Sequence, residues 1–543
     1  MSGLLLSGCK NAEWNNPYPV SQQGENILYS SFSSRPKHLD PMRSYSSNEY
    51  AFIGQIYEPP LQYHYLKRPY ELIPLTAAQM PTVSYLDAGG SLLPADAPVE
   101  EIAYSVYEIQ IRPGIRYQPH PAFARNQSGA LHYQQLNEAD LEGIYDLADF
   151  AHSGSRELVA ADYVYQIKRL AHPRLHSPIQ GLMSEYIVGL TDYAATLAEA
   201  YAKQTQQDPS ATWLDLRQHD LEGVQLVDKY TYRIKIRGKY PQLRYWLAMP
   251  FFAPMPWEAE HFYARPGMKE RNISLDWYPV GTGAYMLSVN NPNRQMVLSR
   301  NPNFHPQYYP AEGDPTDVEK GLLRDAGETL PFIDKVIYSL EKENIPYWNK
   351  FLQGYYDVSG VSSDSFDQAI QFGSQGEAVL TPLMQQKNIQ LETAVQTSTF
   401  YMGFNMLDPV IGGDSERARL LRRAISIAVD YEDYISNFAN GRGIAAQGVI
   451  PPGIFGHVEG QAGINPYVYE WQNGRTQRKP VSEAKRLLAQ AGYPNGRDAE
   501  TGKPLLIHLD VTGGGPEDKA NFDWLRKQFR KIDLELVIRN TDY

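Results

Sequence analysis

The sequence predicts an α/β chain with more than one core. Three observations carry this. The chain is 543 residues long, enough for two or more cores of ordinary size. Residues 103–112 and 230–236 alternate apolar and polar with period two, and each run stops at a Pro-Gly or Gly signal, as strands do. The second half alternates strand-patterned with helix-patterned segments, which implies α/β layers.

The elements follow in order. Residues 27–29 open a strand, and Ser34 to Pro41 reads as a turn. Residues 51–57 alternate less cleanly and read as a further strand, followed by a short one at 61–65. Residues 160–170 have helical spacing, with Tyr163, Ile167 and Leu170 on one face and Asp162 in the first turn, where a carboxylate favours the helix dipole. Residues 194–206 read as another helix. The polar stretches 118–157 and 310–330 read as surface insertions. In the second half, 332–340, 399–405, 505–511 and 534–539 read as strands, and 347–352, 416–440, 482–491 and 517–531 as helices. No internal repeat of 20 to 50 residues stands out.

Composition narrows the function classes. Apolar residues make up 42% and charged residues 21%, the balance of a globular protein. No run approaches the roughly 20 apolar residues of a membrane helix. A net charge of −12 argues against a nucleic-acid partner, because phosphate neutralisation needs clustered Lys and Arg. Tyrosine is over-used, with 39 residues against 18 Phe and 8 Trp. Its ring offers apolar area and a hydroxyl at little entropic cost, which suits surfaces that bind varied ligands; half-buried strand positions also take it. The one cysteine, Cys9, excludes an internal disulfide and a CxxC metal or redox site. Its setting, Leu4-Leu5-Leu6-Ser7-Gly8-Cys9-Lys10, resembles a bacterial lipobox, at which the preceding peptide is removed and the cysteine lipidated. The charged start of a normal signal is missing, so residues 1–24 read as a truncated lipoprotein signal and a polar tether.

Several motifs recur in a fixed order. They are Leu39-Asp40-Pro41 with Tyr57-Glu58-Pro59; Arg112-Pro113-Gly114 with Asp162-Tyr163; Tyr278-Pro279-Val280-Gly281-Thr282-Gly283-Ala284-Tyr285 with Arg300-Asn301-Pro302; Gly354-Tyr355-Tyr356-Asp357; Phe404-Asn405; and the patterned stretch 420–456 ending in a Pro-Pro-Gly turn. Together they resemble the family 5 extracellular solute-binding proteins of peptide-type ABC importers. The resemblance implies a periplasmic-binding-protein-like fold of type II, with two α/β lobes around a hinge and an extra small subdomain. Mapped here, lobe I comprises 25–52 and 241–344, the small subdomain 53–240 with about forty extra residues, and lobe II 345–543. Family members continue past the strand near Arg539, so the C-terminal part, with its ammonium-pairing aspartate, is expected to be missing.

The resemblance also implies function. The chain is expected to be no enzyme, to need no cofactor, and to capture one oligopeptide-like solute between the lobes. As a monomer it would then deliver that solute to an ABC permease and its ATPase subunits. Lipid-anchored through Cys9, it would sit on the periplasmic or extracytoplasmic side of a bacterial membrane. The expected ligand-binding residues are Tyr45, Ser46 and Ser47 on a ligand-lining strand, Thr282 and Gly283 in the glycine loop, and Tyr543. A pocket tyrosine of the small subdomain is replaced here by Ile179. Glycines at 281 and 283 suit close approach to a ligand, because backbone pairing gives affinity without reading side chains; a plain glycine turn has the same pattern. Two alternatives stand beside this reading: a binding protein for a glycan or other non-peptide solute, and a secreted hydrolase with tyrosine stacking platforms.

No HExxH, GxSxG, Walker or Rossmann motif occurs. His172 and His176 are four apart, but Pro173 between them breaks any helix that would align them for a metal. Gly513-Gly514-Gly515-Pro516 follows a strand but has Pro where a phosphate loop needs an amide.

Overall fold

A computed structural model describes residues 17–18, 24–209, 211–372, 378–512 and 518–541. The chain divides into two compact units, Met1–Gly360 and Val361–Tyr543. Among the described residues no helix is long and apolar enough to cross a membrane.

Unit 1 is built on two sheets. In the first, strand β1 (Ile27–Phe32) lies parallel to Lys335–Leu340, followed by antiparallel Gln295–Arg300 and Tyr285–Asn291. The chain therefore leaves this sheet after β1 and returns more than 250 residues later. The second sheet is antiparallel, in the order Leu92–Leu93, Thr82–Leu86, Tyr104–Gln110, Thr231–Arg237, Val224–Leu226. The two period-two runs of the sequence pair with each other at its centre, Tyr107 opposite Ile234. Their inward residues Tyr107, Ile109, Tyr232, Ile234 and Ile236 are buried. One continuous core runs under both sheets, from Phe32 and Leu39 through Tyr163 and Ile234 to Met296 and Leu298.

Unit 2 packs Glu416–Ala428 against Val481–Gln490, with Leu421, Ile425, Leu487, Leu488, Phe529 and Leu534 in its core. Its strands Leu506–Val511 and Glu535–Asn540 pair in parallel, joined through the helix Asp518–Arg530.

Four expectations are corrected. Residues 51–57 are not a strand but most of helix α1 (Ser47–Ile56). Glu49, Phe52, Ile53 and Ile56 are its buried residues, which is helical spacing, and the weak alternation was incidental to it. Residues 399–405 form no ladder, although the side chains of 401–405 do alternate: Met402 and Phe404 are half-buried, while Tyr401 and Asn405 are exposed. Alternation alone does not supply a partner strand. The helix expected over 416–440 is broken at Val429-Asp430, where the Asp430 carboxylate accepts the Asp433 amide at 3.0 Å and caps a second helix, Tyr431–Phe438. Residues 118–157 are not simply a surface insertion. His120, Phe123, Leu141 and Phe150 are buried in the unit 1 core, where Phe150 meets Phe262 edge-on at 5.1 Å.

Candidate functional site

Two carboxylates fix the segment before α1. Asp40 of the Leu39-Asp40-Pro41 motif is buried and receives a fork from Arg169 on helix α2 (Ala160–Arg169), at 3.0 and 2.6 Å, plus the Met42 amide at 3.0 Å. Burial would raise the Asp40 carboxyl, but Arg169 and the Met42 amide outweigh it and hold it below its ordinary value. Arg169 also donates to Glu260 at 2.9 Å, so one buried guanidinium ties α2 to the turn and to the helix Trp257–Tyr263. A parallel arrangement has Arg156 bridging Asp162 and Glu258. Glu49, in the first turn of α1, accepts the amides of Lys37 and His38 and the Ser44 hydroxyl, at 2.9, 2.7 and 2.7 Å.

Tyr45, Ser46 and Ser47 are therefore held on a short extended link and the first residue of α1, not on a strand. The helix wins because Glu49 gathers its donors in the first turn. Tyr45 is exposed and leans on Phe251 with centroids 6.2 Å apart.

The glycine loop packs backbone to backbone with its neighbours. Gly281 gives its amide to the Gln118 side chain at 3.2 Å, and its carbonyl receives the Gln118 amide at 3.0 Å. The Gly283 amide donates to the Ile56 carbonyl at 2.8 Å, and its carbonyl accepts from Asn301 at 2.9 Å. A Cβ on Gly281 would lie 1.9 Å from the Ile56 carbonyl oxygen, and one on Gly283 2.5 Å from that of Gln55. Neither glycine has positive φ. The glycines are needed because the loop presses backbone to backbone on the end of α1. Thr282 is fully buried, and its hydroxyl has no hydrogen-bond partner. Thr282 and Gly283 are thus packed into the core of unit 1 against the end of α1. Ile179 is likewise buried. Cys9, Tyr543 and residues 513–515 lie outside the described residues.

Behind the loop stands a neutral relay. The His120 Nδ1 accepts the Ala122 amide at 3.1 Å, so Nε2 carries the proton and donates to Tyr263 at 2.7 Å; Tyr263 donates to the Tyr278 carbonyl at 2.6 Å. Desolvation lowers the His120 pKa to about 3, from an ordinary 6.5. A depressed histidine contributes stability that is full above its unfolded pKa and is lost as pH falls towards its folded one. Between about pH 6 and 3 this single group is expected to cost unit 1 about 1.4 kcal/mol per pH unit. Urea titrations of the wild type and of His120→Gln, at pH 7 and 5, check this: the wild type should lose more stability on acidification than the variant.

Sequence reasoning missed the exposed tyrosines of this region. Tyr50 on α1, Tyr63 at the end of β2 (Leu61–Tyr63), Tyr65 in the loop to β3 (Leu72–Pro74) and Tyr245 are all exposed. The Tyr63 hydroxyl is raised by desolvation, then by its neighbours Tyr245 and Tyr50; that of Tyr65 by desolvation, then by Glu58, Tyr309 and Tyr50. The hydroxyls of Tyr50, Tyr63 and Tyr245, and those of Tyr50, Tyr65 and Tyr309, are therefore near enough to act on one another. The only signal available in advance was the excess of tyrosine. Among the described residues no group of three or more His, Cys, Asp or Glu side chains is placed to hold a metal ion.

A family model for bacterial extracellular solute-binding proteins, family 5 (middle region), matches residues 152–543. The chain belongs to the family 5 bacterial extracellular solute-binding proteins. No curated protein matches it. Solved family 5 structures do. The DppA periplasmic binding protein of Helicobacter pylori, in complex with the peptide STSA, is 16% identical with a TM-score of 0.55, covering 96% of this chain and 76% of that one. The murein tripeptide binding protein MppA of Escherichia coli is 16% identical with a TM-score of 0.57, covering 96% and 75%. Peptide-bound OppA of Listeria monocytogenes is 15% identical with a TM-score of 0.53, covering 96% and 77%. The fold of this family 5 chain is accordingly the type II periplasmic-binding-protein fold, mixed in helix and sheet.

Proposed function

We propose that this chain is the substrate-binding component of an ABC import system, which captures an oligopeptide-like solute and delivers it to a membrane permease. Membership of family 5 carries the reading. Structural likeness to DppA and OppA, each solved with peptide, supports the solute class. Binding without turnover is the corresponding chemistry, and the ATP would be hydrolysed by the partner subunits. Tyr45, Ser46 and Ser47 remain accessible to a ligand. The location that fits is extracytoplasmic, with Cys9 as lipid anchor; Cys9→Ala should then shift the protein from the membrane fraction to the soluble one.

The test is titration with defined peptide pools. A bound peptide at a hundred times its Kd should stabilise the native state by about 2.7 kcal/mol, because it binds only the folded form. Mass spectrometry of the incubated pool should show every peptide unchanged. New products would overturn the binding-only reading, and no thermal shift with any pool would overturn the peptide reading.

A further inference from the structure

Two histidines meet on the surface formed by residues 118–157. His132 and His152 are both exposed, and their ring centroids lie 4.6 Å apart with planes 71° to one another. The backbone anchors each of them. The His132 amide donates to the Ala124 carbonyl at 2.7 Å, beside the bridge between Arg125 and Leu131. The His152 amide donates to the Tyr133 hydroxyl at 3.1 Å. Two residues on, Gly154 exchanges both backbone hydrogen bonds with His120, at 2.8 and 3.0 Å. Tyr133 packs on Phe150 and Phe262 with centroids 5.2 and 6.2 Å away, which ties the pair to the unit 1 core.

The chemistry left open at the pair is that of a metal ligand. Among the described residues, no ring nitrogen of either histidine has a hydrogen-bond partner. Exposed rings bury little apolar surface, so packing alone gives the contact little. The separation matches shared coordination. A ligating imidazole nitrogen sits about 2.1 Å from its ion, which puts the ring centroid about 3.3 Å from it. Two such rings have centroids about 4.7 Å apart at a right angle around the ion, and about 5.4 Å apart at the tetrahedral angle. The observed 4.6 Å is the right-angle value, which belongs to tetragonal Cu(II) and Ni(II). The local charge suits a cation. Residues 118–157 carry six carboxylates and two arginines. Both arginines are engaged elsewhere, Arg125 with the Gly129 carbonyl at 2.6 Å and Arg156 with Asp162 and Glu258.

We propose that His132 and His152 bind one divalent transition-metal ion, Cu(II) or Ni(II), through two imidazoles at a right angle. Among the described residues no third His, Cys, Asp or Glu side chain is placed to complete the set, so the remaining positions are left to water or to a donor atom of a solute. The site is separate from the reading of the chain as a peptide-binding component and does not depend on it.

The experiment uses the full chain, freed of metal with a chelator, and titrates it with CuCl2, NiCl2 and ZnCl2 by calorimetry. The chain has 12 histidines, so the ligands are identified by pulsed EPR at one equivalent of Cu(II). Two coupled imidazoles are expected in the wild type. His132→Gln and His152→Gln, both at exposed positions, should each leave one coupled imidazole and weaken Cu(II) binding at least tenfold, with the urea midpoint unchanged. His508→Gln, at an exposed strand position of unit 2, is the control and should alter neither reading. Ni(II) should bind more tightly than Zn(II), because a right-angle pair disfavours the tetrahedral ion. Zn(II) binding more tightly than Ni(II) would overturn the assignment of the ion. Fewer than two imidazoles in the wild type, two imidazoles persisting in both variants, or equal Cu(II) affinity in the wild type and the variants would overturn the site itself. Each of these outcomes leaves the peptide reading, tested with peptide pools, where it stands.

Discussion

Arg169→Met is expected to lower the stability of unit 1 by about 3–5 kcal/mol, measured by urea unfolding with the unit 1 tryptophans as reporters. The methionine fills much of the arginine's volume, so a cavity is not the cause. The loss comes from Asp40, which stays buried and loses the fork that balances it, and from half-buried Glu260, which loses its guanidinium partner. Arg169→Lys should recover only part of it, because an ammonium cannot donate to Asp40 in parallel and still reach Glu260. Arg217→Met gives the contrast. Its pair with Asp215 is near the surface, so its removal should cost no more than about 1 kcal/mol. A change at Arg169 as small as that at Arg217 would mean that the buried network can rearrange or hydrate.

Gly281→Ala is expected to cost about 3 kcal/mol or more, for a steric reason alone. The added carbon would sit 1.9 Å from the Ile56 carbonyl oxygen, and that oxygen is fixed by the Gly283 amide at 2.8 Å. Relief requires α1 and the loop to separate, which breaks the contact holding the tyrosine-bearing helix to the core. Gly283→Val should destabilise for the same reason, so any fall in its affinity would follow from lost fold. Gly181→Ala is the control. It stands in the helix Gln180–Tyr186 with nothing within 4 Å, and should be neutral or stabilising by up to about 1 kcal/mol. Equal midpoints for Gly281→Ala and Gly181→Ala would refute the close-approach account.

The legible parts of the fold were those with strong periodicity. Residues 103–112 and 230–236 announced themselves as strands because one of their faces is buried, and 160–170 as a helix because Tyr163, Ile167 and Leu170 had to share a face. The failures have physical causes too. Residues 51–57 were misread because a ten-residue helix with a glycine at 54 carries a weak periodic signal. Residues 401–405 do alternate, and no local pattern says whether a partner strand will be there. The site was less legible than the fold. Pro279 to Tyr285 is a motif whose glycines mean close approach, and sequence does not say to what; here it is α1. The exposed tyrosines lie up to nearly 200 positions apart, and only folding brings Tyr245 near Tyr63.

Gly54 has a consequence for engineering. In the middle of α1 it weakens the helix by roughly 0.5–1 kcal/mol relative to alanine. A search for thermostable variants would therefore favour Gly54→Ala, whose methyl would press on the Tyr50 ring at about 3.1 Å and tilt it away from the helix. Heat resistance and the placement of the exposed Tyr50 ring would then pull this one position in opposite directions, and selection on melting temperature alone would shift that ring without leaving a mark on the fold.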